Sequence, residues 1–173
     1  MIERVAVSDT NIFIDLMSAG GLSAFFSLPW EIHTTAMIIG EFNEPEQLKE
    51  INTYISEGKL IIDEVHEEDL EKIEQQASGH SHRISRPDYS AYHICLLKGC
   101  MLLTGDRRLR LRAEENGVEV HGVIYIFEQI VSKGLMLPNE VMPLVENLFS
   151  NNRRLPKKEL EKLRNKWSSS KDI

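Results

Sequence analysis

The sequence predicts an α/β fold organised around a mostly parallel sheet, with a helical extension at its end. Three observations predict it. Short apolar runs of strand length alternate with segments whose apolar residues recur every three or four positions. Acidic residues stand where two of these apolar runs turn into helices. Beyond Gly134 the alternation stops, and only segments of helical period follow. Strands separated by helices pair in parallel, because each crossover brings the chain back to the same end of the sheet.

Val5-Ala-Val7 is a short apolar run ending at Ser8-Asp9, and Thr10-Asn11 can cap a helix carrying Ile12, Phe13, Leu16 and Met17. A second strand around 31–33 leads into Thr34-Thr35, a capping pair for a helix that carries Met37, Ile38 and Ile39 through Glu41 and Phe42. Asn43-Glu44-Pro45 breaks that helix and starts another, with Leu48, Ile51 and Ile55 inward and Gly58 as its stop. Leu60-Ile-Ile62 is a strand, and Leu70, Ile73 and Ala77 mark the helix after it.

The polar stretch 78–87, with its Gly and Pro, reads as an exposed loop. Ser85 and Asp88 have capping-box spacing and open a helix bearing Ala91, Ile94, Cys95 and Leu97 as far as Gly99. Met101-Leu-Leu103 is a buried strand, and Thr104-Gly105-Asp106 turns the chain into a basic helix with Leu109 and Ala113 inward. Asn116-Gly117 closes it, 118–120 forms a further strand, and Val123, Phe127, Ile130 and Val131 lie on the next helix. Pro138-Asn139 then opens a helix with Val141, Leu144, Val145 and Leu148, while Leu160, Leu163 and Trp167 belong to an amphipathic, basic final helix.

A chain of 173 residues suits one domain with an elaboration, divided here as 1–134 and a helical extension at 135–173 packing on or near it. Hydrophobic residues at 42% and charged residues at 27% exclude a disordered, fibrous or disulfide-scaffold protein. The start of the chain lacks the apolar stretch of a signal peptide and no run reaches spanning length, so a cytoplasmic location and no membrane partner are expected. Cys95 and Cys100 are then expected to be a reduced thiol pair rather than a structural disulfide.

A net charge of −7 argues against a protein that coats nucleic acid by bulk electrostatics. Local basic runs exist at Arg107, Arg108, Arg110 and Arg112, and again from Arg153 to Lys166. The plain reading of each is a solvated helix face. The second run makes the tail a packed cap, a partner surface or an RNA contact.

With 27 acidic residues, no lone carboxylate is informative, so placement does the sorting. Asp9 and Asp106 each end an apolar strand at a turn into a helix, where α/β folds assemble sites. Glu41 and Asp88 sit among apolar helix neighbours, so each must be exposed, paired or metal-bound. Helix capping also accounts for Asp88, and an ordinary exposed position for Glu41. Asp15 reads as an exposed polar position and His93 as solvated. His80 and His82 lack the spacing of a metal site, and no phosphate-cradling glycine loop is present. A phosphatase with an aspartate nucleophile would carry a second Asp two positions after Asp9, where Asn11 stands.

Four segments, Asp9-Thr-Asn-Ile-Phe-Ile-Asp-Leu, Thr34-Thr-Ala-Met-Ile-Ile-Gly-Glu41-Phe, Ser85-Arg-Pro-Asp88-Tyr-Ser-Ala and Leu102-Leu-Thr104-Gly-Asp106-Arg-Arg-Leu109, resemble the ordered signatures of the PIN domain family, which includes the VapC-like toxins. The likeness covers roughly residues 1–131 and leaves the tail undescribed. It implies a Rossmann-like three-layer domain, an acidic pocket for Mg2+ or Mn2+, and endonucleolytic cleavage of RNA. It also implies RNA as substrate, with an antitoxin protein and a second copy of the chain as candidate partners. By motif, Asp9, Glu41, Asp88 and Asp106 become the catalytic and metal-holding quartet, supported by Asn11 and Thr104. Arg107, Arg108, Arg83 and Arg86, with His82, become candidates for flanking phosphates. Gly105 departs from the polar residue that relatives often carry, which would loosen the turn before Asp106. The alternative is a non-catalytic PIN module that binds RNA or a protein through its basic tail.

Overall fold

A computed structural model describes residues 1–77, 84–151, 155 and 157–168. His80, His82 and Arg83, and Arg153 and Arg154 of the second basic run, lie outside the described residues. The chain runs β1 (Arg4–Ser8), α1 (Thr10–Ala19), α2 (Leu22–Phe25), β2 (Trp30–Thr35), α3 (Ala36–Ile39), α4 (Pro45–Ser56), β3 (Leu60–Asp63) and α5 (Glu67–Ala77). It continues through α6 (Arg86–Lys98), β4 (Met101–Leu103), α7 (Arg107–Glu115), β5 (Val120–His121), α8 (Val123–Ser132), α9 (Pro138–Asn151) and α10 (Lys157–Ser168).

The strands form one sheet in the order β3-β2-β1-β4-β5. Every pairing is parallel, including β1 with β2 and β1 with β4, which sharpens the expected mostly parallel sheet. Ala6, Val7, Leu102 and Leu103 in the central strands are fully buried, as continuous apolar runs must be when both faces of a sheet are covered. Helix α6 packs along β1, β2 and β4. Its Tyr89, Ala91, Tyr92, Ile94 and Cys95 are buried.

The chain groups into two compact units, residues 1–14 with 29–123 and residues 15–28 with 124–173. This partition differs from the division at Gly134 drawn from the sequence. The first unit holds the whole sheet and helices α3 to α7. The second is helical, with Leu16, Phe25, Phe127, Ile130, Val141, Val145 and Leu148 forming its core. Gly21 is needed there for closeness, since a Cβ at this position would stand 2.8 Å from Cε1 of Phe127. Helix α10 lies against α9 with Leu163 and Trp167 buried.

Several local expectations need correcting. Helix α3 ends at Ile39 with Gly40 as its C-cap, so Glu41 follows the helix in a turn rather than lying inside it. Leu97 is 69% exposed, because its position falls on the outer side of α6. The fifth strand covers only Val120 and His121. His93 is not solvated: its side chain is 13% exposed, with Nε2 3.8 Å from a carboxylate oxygen of Asp69. Asp15 is half-buried rather than exposed.

Candidate active site

Strands β2 and β4 flank β1, and the chain visits β2 and β3 on one side of it before β4 and β5 on the other. In such sheets the crevice at the carboxyl ends of the strands, where the order reverses, is where ligands bind. Asp9 is the first residue after β1, and Asp106 follows β4 by three positions. The backbone N–H of Asp9 donates to the carbonyl of Leu103 at 3.1 Å, so the two strand ends are tied together at this crevice.

Asp9, not the expected Thr10-Asn11 pair, caps α1: the N–H of Ile12 donates to its Oδ1 at 3.0 Å. Its Oδ2 accepts a short hydrogen bond from the hydroxyl of Thr104. Asp9 is 1% exposed, and burial pushes its pKa up to about 7. The bonds from Thr104 and Ile12 act in the opposite direction, and the nearby Asp88 and Asp106 carboxylates add to the rise.

Asp106 caps α7, its Oδ1 accepting from the N–H groups of Arg108 and Leu109, both at 2.8 Å. Its own N–H donates to Oγ1 of Thr104 at 3.0 Å. The buried Thr104 side chain thus spans Asp9 and Asp106 directly. Gly105 between them is exposed, and a Cβ there would meet nothing within 4 Å.

Asp88 lies at the third position of α6, where its N–H donates to Oγ of the capping residue Ser85 at 3.2 Å. Burial raises its pKa, hydrogen bonds from Ser85 oppose this, and Asp106 and then Glu41 push it further upward. Glu41 is half-buried and accepts a short hydrogen bond from the hydroxyl of Thr10. The four acids read from the sequence are therefore electrostatic neighbours: Asp9 feels Asp88 and Asp106, and Asp88 feels Asp106 and Glu41.

Among the described residues no three His, Cys, Asp or Glu side chains stand at metal-holding distance. Glu41 is turned onto Thr10, and Asp106 onto the first amides of α7. Thr10, the partner of Glu41 at the candidate site, is a position that sequence reasoning missed. It is buried, and its Oγ1 also lies 3.3 Å from the carbonyl of Ile38. Asn11, favoured from the motif, is exposed in the first turn of α1.

The arginines divide by role. Arg107 and Arg108 are exposed in the first turn of α7 beside Asp106. Arg110 is occupied in the scaffold, with Nη1 donating to the carbonyl of Val120 at 3.0 Å. Arg86 is exposed at the start of α6, two positions before Asp88. In α10, Arg164 donates to Glu146 at 2.8 Å, Lys166 to Glu128 at 2.7 Å and Lys162 to Glu159 at 2.8 Å.

A parallel 3-2-1-4-5 sheet with acids gathered at the carboxyl ends of β1 and β4 defines a Rossmann-like α/β domain with an acidic site. The chain belongs to the PIN domain family described as DUF3368, whose model matches residues 5–169. That span includes α9 and α10, so the tail left undescribed by the sequence motifs is part of the family's pattern. The PIN domain is a nuclease fold. Among solved structures the chain is similar to a PilT N-terminus domain protein from the hyperthermophilic archaeon Sulfolobus solfataricus P2, with 15% identity and a TM-score of 0.42, covering 74% of this chain and 92% of that one. No curated protein matches the chain. Among the described residues, no helix is long and apolar enough to cross a membrane.

Proposed function

We propose that the protein is a toxin-like endoribonuclease that hydrolyses RNA phosphodiester bonds with Mg2+ or Mn2+ held by Asp9, Glu41, Asp88 and Asp106. The observation that carries this reading is the state of Asp9: a fully buried carboxylate with two further acids beside it. Burying a carboxylate without compensation costs several kcal/mol, roughly, and like charges nearby add to that cost. A cation placed among the acids would offset both costs by its attraction for the carboxylates.

The donor set fits such an ion. All four groups offer hard carboxylate oxygens, the ligands magnesium and manganese prefer, and no thiolate or imidazole competes in the quartet. A bound ion would supply positive charge against the scissile phosphate and acidify a water there. The chain's own residues do the positioning. Thr104 holds Asp9 and the Asp106 amide in register, and Thr10 holds Glu41. Arg107 and Arg108 of α7, with Arg86 at the start of α6, would hold flanking phosphates without reading sequence.

RNA is the proposed substrate, and an antitoxin protein and a second copy of the chain are the partners this reading suggests. Under the alternative, a non-catalytic module working through its basic tail, RNA would have to displace glutamates of the same helical unit from three cations of α10. Incubating the purified chain with defined RNA and DNA, in manganese and in chelator, tests the proposal. Internal cleavage of RNA in manganese alone is expected, and Asp9→Asn or Asp106→Asn should slow it by about a hundredfold or more. Equal cleavage by Asp9→Asn and the parent protein would overturn it.

A further inference from the structure

A second chemically active pair lies in the sheet-bearing unit, apart from the acids. We propose that Cys95 and Cys100 form a peroxide-responsive dithiol, in which Cys100 is oxidised first and Cys95 then closes a disulfide with it. The two sulfurs are 3.7 Å apart. Cys95 is buried in α6, whereas Cys100 is half-buried just past the helix end.

The backbone fixes this proximity. Gly99 takes the left-handed conformation at φ +61°, and the N–H of Cys100 donates back to the carbonyl of Cys95 at 3.2 Å. This is the Schellman ending of a helix, in which the same two positions normally carry an apolar contact. Leucine or isoleucine would satisfy that packing, so the helix ending does not itself require sulfur at both places. Because the backbone already holds the pair together, closing the sulfurs to the bonded separation of about 2.05 Å asks mainly for side-chain rotation.

The surroundings distinguish the two thiols. Cys100 lines a cavity of about 500 Å³ together with Arg4, Lys98 and Met101, which is ample for a hydroperoxide. The hydrogen bond between the two sulfurs and the Lys98 ammonium hold the Cys100 thiol below its ordinary pKa, against partial burial and the Asp63 carboxylate. Lys98 and Asp63 themselves pair at 3.3 Å. Burial drives the Cys95 thiol far upward, so the thiolate forms on Cys100.

The steps balance. The Cys100 thiolate attacks one peroxide oxygen, the O–O bond breaks, and the departing alkoxide or hydroxide takes a proton. Cys100 is oxidised by two electrons to the sulfenic acid while the peroxide is reduced to an alcohol or water. Cys95 then attacks the Cys100 sulfur. The S–O bond breaks, the leaving hydroxide takes the Cys95 proton to depart as water, and the S–S bond forms.

The test is thiol labelling in denaturant after the folded protein has met hydrogen peroxide, read by mass spectrometry. We expect the two labelled cysteines of the untreated chain to fall to none without dimer formation, and dithiothreitol to restore both. In Cys95→Ala, a dimedone adduct should appear at Cys100. In Cys100→Ala, Cys95 should react at least about tenfold more slowly than Cys100 does in the parent. The parent measurement needs no variant to fold. Two labelled cysteines after a dose that exhausts free glutathione, a disulfide joining two chains, or faster reaction at Cys95 would each overturn the proposal.

Discussion

Asp9 is the residue at which electrostatic cost and proposed chemistry meet. Its carboxyl has a pKa of about 7 in the folded chain against an ordinary 3.8. Between these values the folded protein holds a proton that the unfolded chain has released, so stability falls as pH rises through that window. The slope from this one group approaches 1.4 kcal/mol per pH unit, roughly, and the loss levels off above about pH 7. Thermal unfolding in chelator at pH 5 and pH 8 checks this. The parent should lose distinctly more stability between the two than Asp9→Asn, which has no such proton to shed, and parallel losses would contradict it. The Thr104 hydroxyl serves both neighbouring aspartates. Thr104→Val should therefore weaken manganese binding about 10–100-fold while the domain stays folded, as measured by calorimetry and circular dichroism.

Single elements show how closely spacing is enforced. Gly21 opens α2 at a φ open to any residue, −100°, so its requirement is room and not conformation. Gly21→Ala would drive a methyl into the Phe127 ring, costing about 1–3 kcal/mol, and a denaturant melt should register that loss. The strand and helix alternation was legible in the sequence because buried parallel strands are continuous apolar runs. Asp9 and Asp106 were legible because strand ends are punctuated by cap residues. What escaped reading was local geometry. A four-residue α3 placed Glu41 in a turn beyond it, because Gly40 ends the helix where the apolar residues alone suggest continuation. Thr10 escaped because the hydroxyl that holds Glu41 lies 31 positions away in sequence, and only the fold brings the two together. The outward-facing Leu97 escaped because α6 is buried through most of its circumference, which leaves no clean apolar stripe to read.

At the scale of the molecule, the tail is structural material. Val141, Val145, Leu148, Leu163 and Trp167 are all buried, and the family pattern runs through residue 169. A chain ended at Gly134 strips the second unit of α9 and α10, and should lose soluble expression or unfold at a markedly lower temperature; an unchanged melting point would show the tail to be dispensable. The proposed chemistry requires the acids that follow β1, α3 and β4, with Asp88 of α6, to gather around a divalent ion. Calorimetric titration of manganese into chelator-stripped protein tests that most directly. Saturable binding by the parent that vanishes in both Asp9→Asn and Asp106→Asn is expected. Undiminished binding in those variants, or none in the parent at millimolar manganese, would contradict it.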